Sequence, residues 1–175
     1  MATLAALGGM GGSVVSLIGK AVQATLGTFG GLQWLAGLHV LWLVLAVGLV
    51  RKPGAATMTG LLKGAVELLS GNPHGLLVLI YSGAAGVTVD IVWLLFARRH
   101  GALVYALAGG AAAATNVLVL RFVAGLPTHG PVLWMLVGLA LIAFASGTVL
   151  AGLLGWWLIG ALSRAGATGA SATPG

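Results

Sequence analysis

Residues 68–77, LLSGNPHGLL, form a short polar turn between two long apolar runs of the chain. The Asn, the Pro and the two Gly favour a turn over regular structure, so this stretch separates two regular elements. The run that follows, residues 75–97, is apolar over the length that one helix needs to cross a hydrocarbon core, about 20 residues. The pattern therefore predicts two membrane-spanning helices whose connection lies on one side of a membrane.

The composition extends this prediction to the whole chain. Hydrophobic residues make up 59% of the 175 positions, charged residues only 6%, and the mean hydropathy is +1.11, whereas a soluble domain carries about a quarter charged residues. We therefore expect an integral membrane protein. The net charge of +6 does not indicate nucleic-acid binding, because the eight Lys and Arg residues are scattered singly or in pairs, all but Lys63 near the ends of apolar runs. The absence of Cys excludes disulfides, thiolate chemistry and Cys-based zinc sites.

Pro, Gly and charged residues divide the chain into six apolar pieces of nearly spanning length. These lie at about 3–25, 33–50, 55–70, 75–97, 102–124 and 131–163. Because no alternating strand pattern occurs, we expect an all-α integral membrane protein with six transmembrane helices, forming one domain over residues 1–164. Residues 165–175 consist of Gly, Ala, Ser, Thr and Pro, which predicts a disordered tail.

The cations orient the predicted bundle. Two cations lie near one set of helix ends, Lys20 and Arg121, and five lie near the other set: Arg51, Lys52, Arg98, Arg99 and Arg164. Because cytoplasmic loops carry an excess of Lys and Arg, both termini are expected in the cytoplasm, with the protein in the cell membrane. The turn at 68–77 then faces the outside, where a solute would arrive.

The chain has only two acidic residues, Glu67 and Asp90, and both lie inside predicted spans. A charge at the bilayer centre costs about 3 kcal/mol on insertion scales, so such residues usually face a cavity or a partner. Lys63 lies four residues before Glu67 on the same helical face. One hypothesis is a solute site in which the two carboxylates share a water-accessible hollow. The alternatives are a neutralising Lys63–Glu67 pair and an Asp90 carboxylate that ties helices together.

Further candidates surround the polar turn. Asn72 and His74 lie in the turn itself, and Trp34, Tyr81 and Trp93 could stack on a flat or cationic solute. Each has a plainer interpretation: Asn72 shapes the turn, His74 is a solvated loop residue, and the aromatic side chains are membrane-interface anchors or packing residues.

The first span has pairs of small residues four positions apart, namely Ala5 with Gly9, Gly8 with Gly12, and Gly12 with Ser16. Such a face allows close helix approach, which serves either internal packing or docking of another subunit. No nucleotide-binding loop and no nucleophile–base set occurs, and His39, His100 and His129 lack metal-site spacing. No metal and no cofactor are therefore expected.

Four pieces of the sequence together resemble a known family. These are RKPGAA at 51–56, ELLSGNPHG at 67–75, Asp90, and AGLLG at 151–155. They are similar to the substrate-binding (S) components of energy-coupling-factor (ECF) vitamin transporters, of the YkoE type. The resemblance implies a six-helix protein that captures thiamin or its hydroxymethylpyrimidine moiety from outside. It also implies a transmembrane coupling subunit and two ATPases as partners, with Ala5, Gly9 and Gly12 in the docking face and no enzymatic activity in this chain.

Three positions depart from the pattern of that family. The family commonly has a Glu where this chain has Gly60, a small residue where it has Lys63, and a Gln where it has Ala85. One negative charge fewer and one positive charge more favour a neutral pyrimidine, or another small nutrient, over the cationic thiazolium of thiamin. The competing hypothesis is a structural or assembly protein whose small-residue faces organise other helices. A membrane enzyme is a third hypothesis, disfavoured because no reactive set converges.

Overall fold

The computed structural model describes residues 2–26, 34–72 and 75–165. This part of the chain contains six helices and no strand: α1 Ala2–Leu26, α2 Ala36–Val50, α3 Ala55–Leu69, α4 Leu77–Leu95, α5 Ala102–Val123 and α6 Gly130–Arg164. The predicted all-α fold with six helices is confirmed, and each helix begins and ends within a few residues of its predicted bounds. The predicted tail, from residue 166 onward, lies outside the described residues.

Three helices, α4, α5 and α6, are long and apolar enough to cross a membrane. Two shorter apolar helices accompany them, α2 and the Thr3–Gly19 part of α1. Helix α3 has only 15 residues and contains Lys63 and Glu67, which lowers its mean hydropathy. The chain is therefore a multi-pass membrane protein in which α3 is the most polar helix of the bundle.

Helix α2 lies at the centre of the bundle and contacts all five other helices. Its side chains Val40, Val44 and Val47 are almost completely buried. This arrangement explains why α2 is apolar around its whole circumference, since no face of it points to solvent.

Close helix approach in this bundle depends on glycine. A Cβ atom on Gly60 of α3 would lie 2.3 Å from the backbone oxygen of Ser82 in α4, and one on Gly86 of α4 would lie 2.7 Å from that of Ala56. Because both neighbours are backbone atoms, neither can move aside. The interface between α3 and α4 is therefore backbone against backbone.

Helix α6 contains a π-helical segment, Gly147–Leu153, between two α-helical segments. The π segment packs against α5, where a Cβ atom on Gly109 would lie 2.5 Å from the backbone oxygen of Gly147. The sequence does not predict this local widening of the helix.

Candidate functional site

A cavity of about 180 Å³ lies between the first five helices. It is close to the end of the bundle where α1 and α3 finish and α2 and α4 begin, which is the end opposite the five clustered cations. Its polar lining consists of Ser16, His39, Lys63, Glu67, Asn72, Tyr81, Ser82 and Asn116. Its apolar lining consists of Ala36, Val40, Leu43, Val78, Ala85 and Leu120. A mostly apolar hollow with a few convergent polar groups is typical of a small-molecule site.

The strongest interaction at the cavity wall joins Lys63 and Glu67. The Lys63 Nζ atom donates to Glu67 Oε1 over 2.6 Å, and both residues are about 1% exposed. Lys63 Nζ also lies 3.5 Å from Ser82 Oγ, and His39 Nδ1 lies 3.7 Å from the same Glu67 oxygen. A spacing of four residues places the Lys and the Glu one turn apart on α3. The pair has no net charge, whether it is ionised or shares a proton as two neutral groups.

Helix α1 forms one wall of the cavity against this pair. A Cβ atom on Gly12 would lie 1.7 Å from Glu67 Oε1 and 3.2 Å from Lys63 Nζ. One turn further along α1, Ser16 Oγ accepts a hydrogen bond of 3.4 Å from Asn72 Nδ2. The glycine therefore makes room for the carboxylate, and Ser16 attaches the turn after α3 to α1.

Helix α5 contributes a polar group that the sequence analysis did not single out. The Oδ1 atom of Asn116 is buried and has no hydrogen-bond partner among the described residues. Asn116 and Leu120, four residues apart, both line the cavity. Since a buried unpaired acceptor is costly, this amide oxygen is a candidate for a contact with a bound solute.

The structure brings four of the predicted site residues together at the cavity, namely Lys63, Glu67, Asn72 and Tyr81. Trp34 is 58% exposed and lies outside the cavity lining. Its backbone oxygen accepts a hydrogen bond of 2.6 Å from Ser146 Oγ, which connects the start of α2 to α6. His74 lies outside the described residues.

Asp90 does not share the hollow of Glu67, contrary to our expectation. Its carboxylate accepts hydrogen bonds from the backbone N–H of Ala56 (3.3 Å), the backbone N–H of Thr57 (2.8 Å) and Thr57 Oγ1 (2.6 Å). The N-cap residue of α3, Gly54, provides no side-chain cap, so an acid from α4 satisfies the first N–H groups of this helix. Among the alternatives, the helix-tying interpretation of Asp90 therefore matches the geometry.

Trp93 lies at the same end of the bundle as Asp90, away from the cavity. Its side chain is 1% exposed, and its ring lies 5.7 Å from the ring of His100, centroid to centroid. His100 Nδ1 in turn forms a hydrogen bond with the Tyr105 hydroxyl. In this structure Trp93 is a packing residue and not a wall of the cavity.

The predicted docking positions Ala5, Gly9 and Gly12 are buried inside the bundle. A Cβ atom on Gly9 would lie 2.5 Å from Val66 Cγ1 of α3. The small-residue face of α1 thus serves internal packing, which was the alternative interpretation. The outward face of α1 carries larger apolar side chains, namely Leu7, Met10, Val14, Leu17 and Ile18.

Sequence reasoning missed four polar residues of the cavity. These are Ser16, His39, Ser82 and Asn116. The available signal was their rarity: each is a polar side chain within a long apolar run. His39 was considered only as a metal ligand, and within the described part of the chain no three of His, Asp and Glu lie close enough together to hold a metal ion.

Comparisons with known proteins agree with this architecture. The family model described as "ABC-type cobalt transport system, permease component" matches residues 1–116. The putative HMP/thiamine permease protein YkoE of Bacillus subtilis is 31% identical over 134 residues, which cover 74% of this chain and 65% of that protein. The chain thus spans slightly less than two thirds of the length of this relative.

A solved structure extends the agreement to nearly the whole chain. It is the crystal structure of an S-component of an ECF transporter, with a TM-score of 0.87 and 26% sequence identity. The match covers 98% of this chain and 86% of that one. The chain therefore belongs to the family of ABC-type cobalt transport permease components, and the predicted membership among the YkoE-type S components of ECF transporters is confirmed.

Proposed function

We propose that the chain is the solute-binding membrane subunit of an ATP-driven ECF vitamin importer. Its solute is thiamin or the hydroxymethylpyrimidine precursor of thiamin, in line with the Bacillus subtilis relative, which is named a putative HMP/thiamine permease. The observation that carries the proposal is the cavity between the first five helices. There Glu67, Asn72, His39 and Asn116 converge on an otherwise apolar hollow. The arrangement suits binding and release, since it contains hydrogen-bonding groups without an activated nucleophile.

A binding assay tests this function. The protein is purified in detergent and titrated with tritiated thiamin and with tritiated hydroxymethylpyrimidine, alongside the variants Glu67→Gln and Asp90→Asn. We expect saturable binding by the wild type, an affinity at least tenfold lower for Glu67→Gln, and an unchanged affinity for the folded fraction of Asp90→Asn. A wild type that binds no pyrimidine and no thiazole would contradict the proposal and favour the structural or assembly hypothesis.

The proposed energy source is a pair of partner ATPases that act through a transmembrane coupling subunit. Since the given sequence contains no GxxxxGK[ST] loop, we assign ATP hydrolysis to partner chains. Uptake of labelled solute by proteoliposomes that contain the whole complex is expected to require internal ATP. Uptake by this chain alone, at the rate of the complex, would refute the need for these partners.

The proposed topology places both termini in the cytoplasm and the cavity end outside the cell membrane. The chain has no Cys, so a single introduced Cys reports on one position without background. Ser70→Cys lies in the exposed turn near the cavity and Lys52→Cys lies in the exposed loop at the opposite end. In intact cells, a membrane-impermeant maleimide is expected to label only Ser70→Cys, and the reverse labelling would invert the topology.

A further inference from the structure

We propose that Lys63 is a built-in counter-ion that makes the cavity select an uncharged ring over a cationic one, and that Asn116 accepts a hydrogen bond from that ring. This inference rests on the proposed function, because it assigns charge and hydrogen-bonding pattern to the solute of the same cavity. It differs from the proposed function in excluding one of the two candidate solutes, the cationic one.

The charge argument starts from the two acids of the chain. Asp90 lies outside the cavity and is engaged by three donors at the start of α3. Glu67 faces the cavity, but Lys63 donates to it over 2.6 Å within a buried pair. Among the described residues that line the cavity, Glu67 carries the one carboxylate, and it is already neutralised from within the protein. A cationic solute would enter a low-dielectric hollow without a free anion and beside the Lys63 ammonium, which is unfavourable.

The size of the cavity leads to the same class of solute. An apolar cavity of about 150 Å³ holds one benzene molecule, and this one is about 180 Å³. The hollow has room for one substituted six-membered ring. Val40 and Leu43 supply apolar surface for such a ring, and Tyr81 supplies an aromatic side chain.

Asn116 supplies the directional element. Its Oδ1 atom is buried at the cavity wall without a protein partner among the described residues. An N–H group on the ring would satisfy this acceptor, and a solute without a donor at that position would leave it unpaired. The predicted solute is thus a flat, uncharged ring that carries an N–H donor, for which an exocyclic amino group on a heteroaromatic ring is suited.

A matched pair of ligands tests the charge selectivity at constant size. The 5-hydroxymethyl and 5-aminomethyl derivatives of 4-amino-2-methylpyrimidine are nearly the same size, and the second is a cation at neutral pH because its side chain is a primary amine. The wild type is expected to bind the hydroxymethyl compound at least tenfold more tightly. In Lys63→Gln, where a neutral amide replaces the ammonium beside Glu67, the affinity for the aminomethyl compound is expected to rise at least tenfold.

The exposed loop cation Lys52 provides the control, since Lys52→Gln removes the same charge far from the cavity and should leave both affinities unchanged. Equal wild-type affinities for the two compounds would overturn the counter-ion proposal while leaving the proposed function intact. If the wild type binds neither of the two compounds and does not bind thiamin, the proposed function is overturned as well. The wild-type comparison decides the matter even if Lys63→Gln does not fold.

The role of Asn116 is tested by comparing two ligands in two proteins, the wild type and Asn116→Val. Replacing the ring amino group by a dimethylamino group removes its donor, which is expected to reduce wild-type affinity at least fivefold. In Asn116→Val the affinities for the two ligands are expected to differ much less, because the acceptor oxygen is absent. An equal loss in the wild type and in Asn116→Val would show that Asn116 does not receive the ring N–H.

Discussion

Gly12 offers the sharpest test of the site, because its missing side chain determines where the Glu67 carboxylate can lie. In Gly12→Ala the new Cβ would lie 1.7 Å from Glu67 Oε1 and 2.9 Å from Glu67 Cδ. The carboxylate is buried and held by Lys63, so it cannot swing into solvent. Either α1 moves away from α3 or the ion pair is distorted, and both changes alter the cavity wall.

Two opposing effects set the size of the stability change. Replacing Gly by Ala inside a helix stabilises it by roughly 1 kcal/mol, whereas forcing an extra methyl group into a packed interior costs about 1–3 kcal/mol. The free energy of unfolding should therefore fall by about 0–2 kcal/mol. Ligand binding is more sensitive. Loss of a hydrogen bond to a charged group costs about 1.5–3 kcal/mol, which corresponds to a 10- to 100-fold loss of affinity.

Gly11→Ala is the matched control on the same helix. Its Cβ would make its closest contact at 3.4 Å, with Trp42 Cζ2, which is an ordinary van der Waals distance. Both variants are purified in detergent, and solute affinity is measured by equilibrium binding and thermal stability by tryptophan fluorescence. We expect weak binding by Gly12→Ala and nearly wild-type binding by Gly11→Ala. Wild-type affinity in both variants would show that Glu67 does not occupy this position when solute is bound, and the assignment of the site would fail.

Three further predictions concern the rest of the bundle. Asp90→Asn should lower the free energy of unfolding by about 1–3 kcal/mol, because it weakens the cap of α3. The solute affinity of the folded fraction should stay unchanged. A reduced solute affinity at full stability would contradict this prediction. Gly109→Ala should prevent folding, since its Cβ would lie 2.5 Å from a backbone oxygen of α6, whereas Gly138→Ala, with no atom within 4 Å, should fold normally in a size-exclusion assay. Partial desolvation and the nearby Arg51 guanidinium lower the pKa of His100, a loop residue. The folded state therefore resists protonation of His100. The melting temperature should be highest above the ordinary His pKa of 6.5 and should fall as the pH drops from there through the lowered pKa. Arg51→Gln should reduce this pH dependence of the melting temperature, and an unchanged dependence would refute the role of Arg51.

The number and order of the helices could be predicted because the bilayer imposes a length and forbids unpaired backbone. Apolar runs separated by Pro, Gly and charged residues gave the six spans almost directly. The π segment Gly147–Leu153 could not be predicted in the same way. It depends on how closely α5 approaches α6, and that distance follows from packing between residues far apart in sequence.

The candidate site was only partly predictable, because helices that are apolar on every side do not indicate which face points inward. Glu67, Lys63 and Asn72 were found because they are rare polar groups near a turn. Asp90 was placed in the same hollow on the assumption that a membrane acid faces a cavity. The missing signal was the start of α3, where Gly54 offers no side-chain cap and the first N–H groups therefore need an acceptor from elsewhere.

The two unusual features of the site, a glycine at position 12 and a lysine at position 63, depend on each other physically. The Lys63 ammonium holds the Glu67 oxygen where a Cβ on Gly12 would collide with it, and the same Cβ would lie 3.2 Å from Lys63 Nζ. If Lys63 is replaced by Met, the carboxylate is no longer held and can move away from α1. The cost of Gly12→Ala should then be smaller in the Lys63→Met background by at least about 0.5 kcal/mol in a double-mutant cycle on solute binding. Additive effects would show that α1 does not press on the ion pair, and the explanation of the glycine at position 12 would be lost.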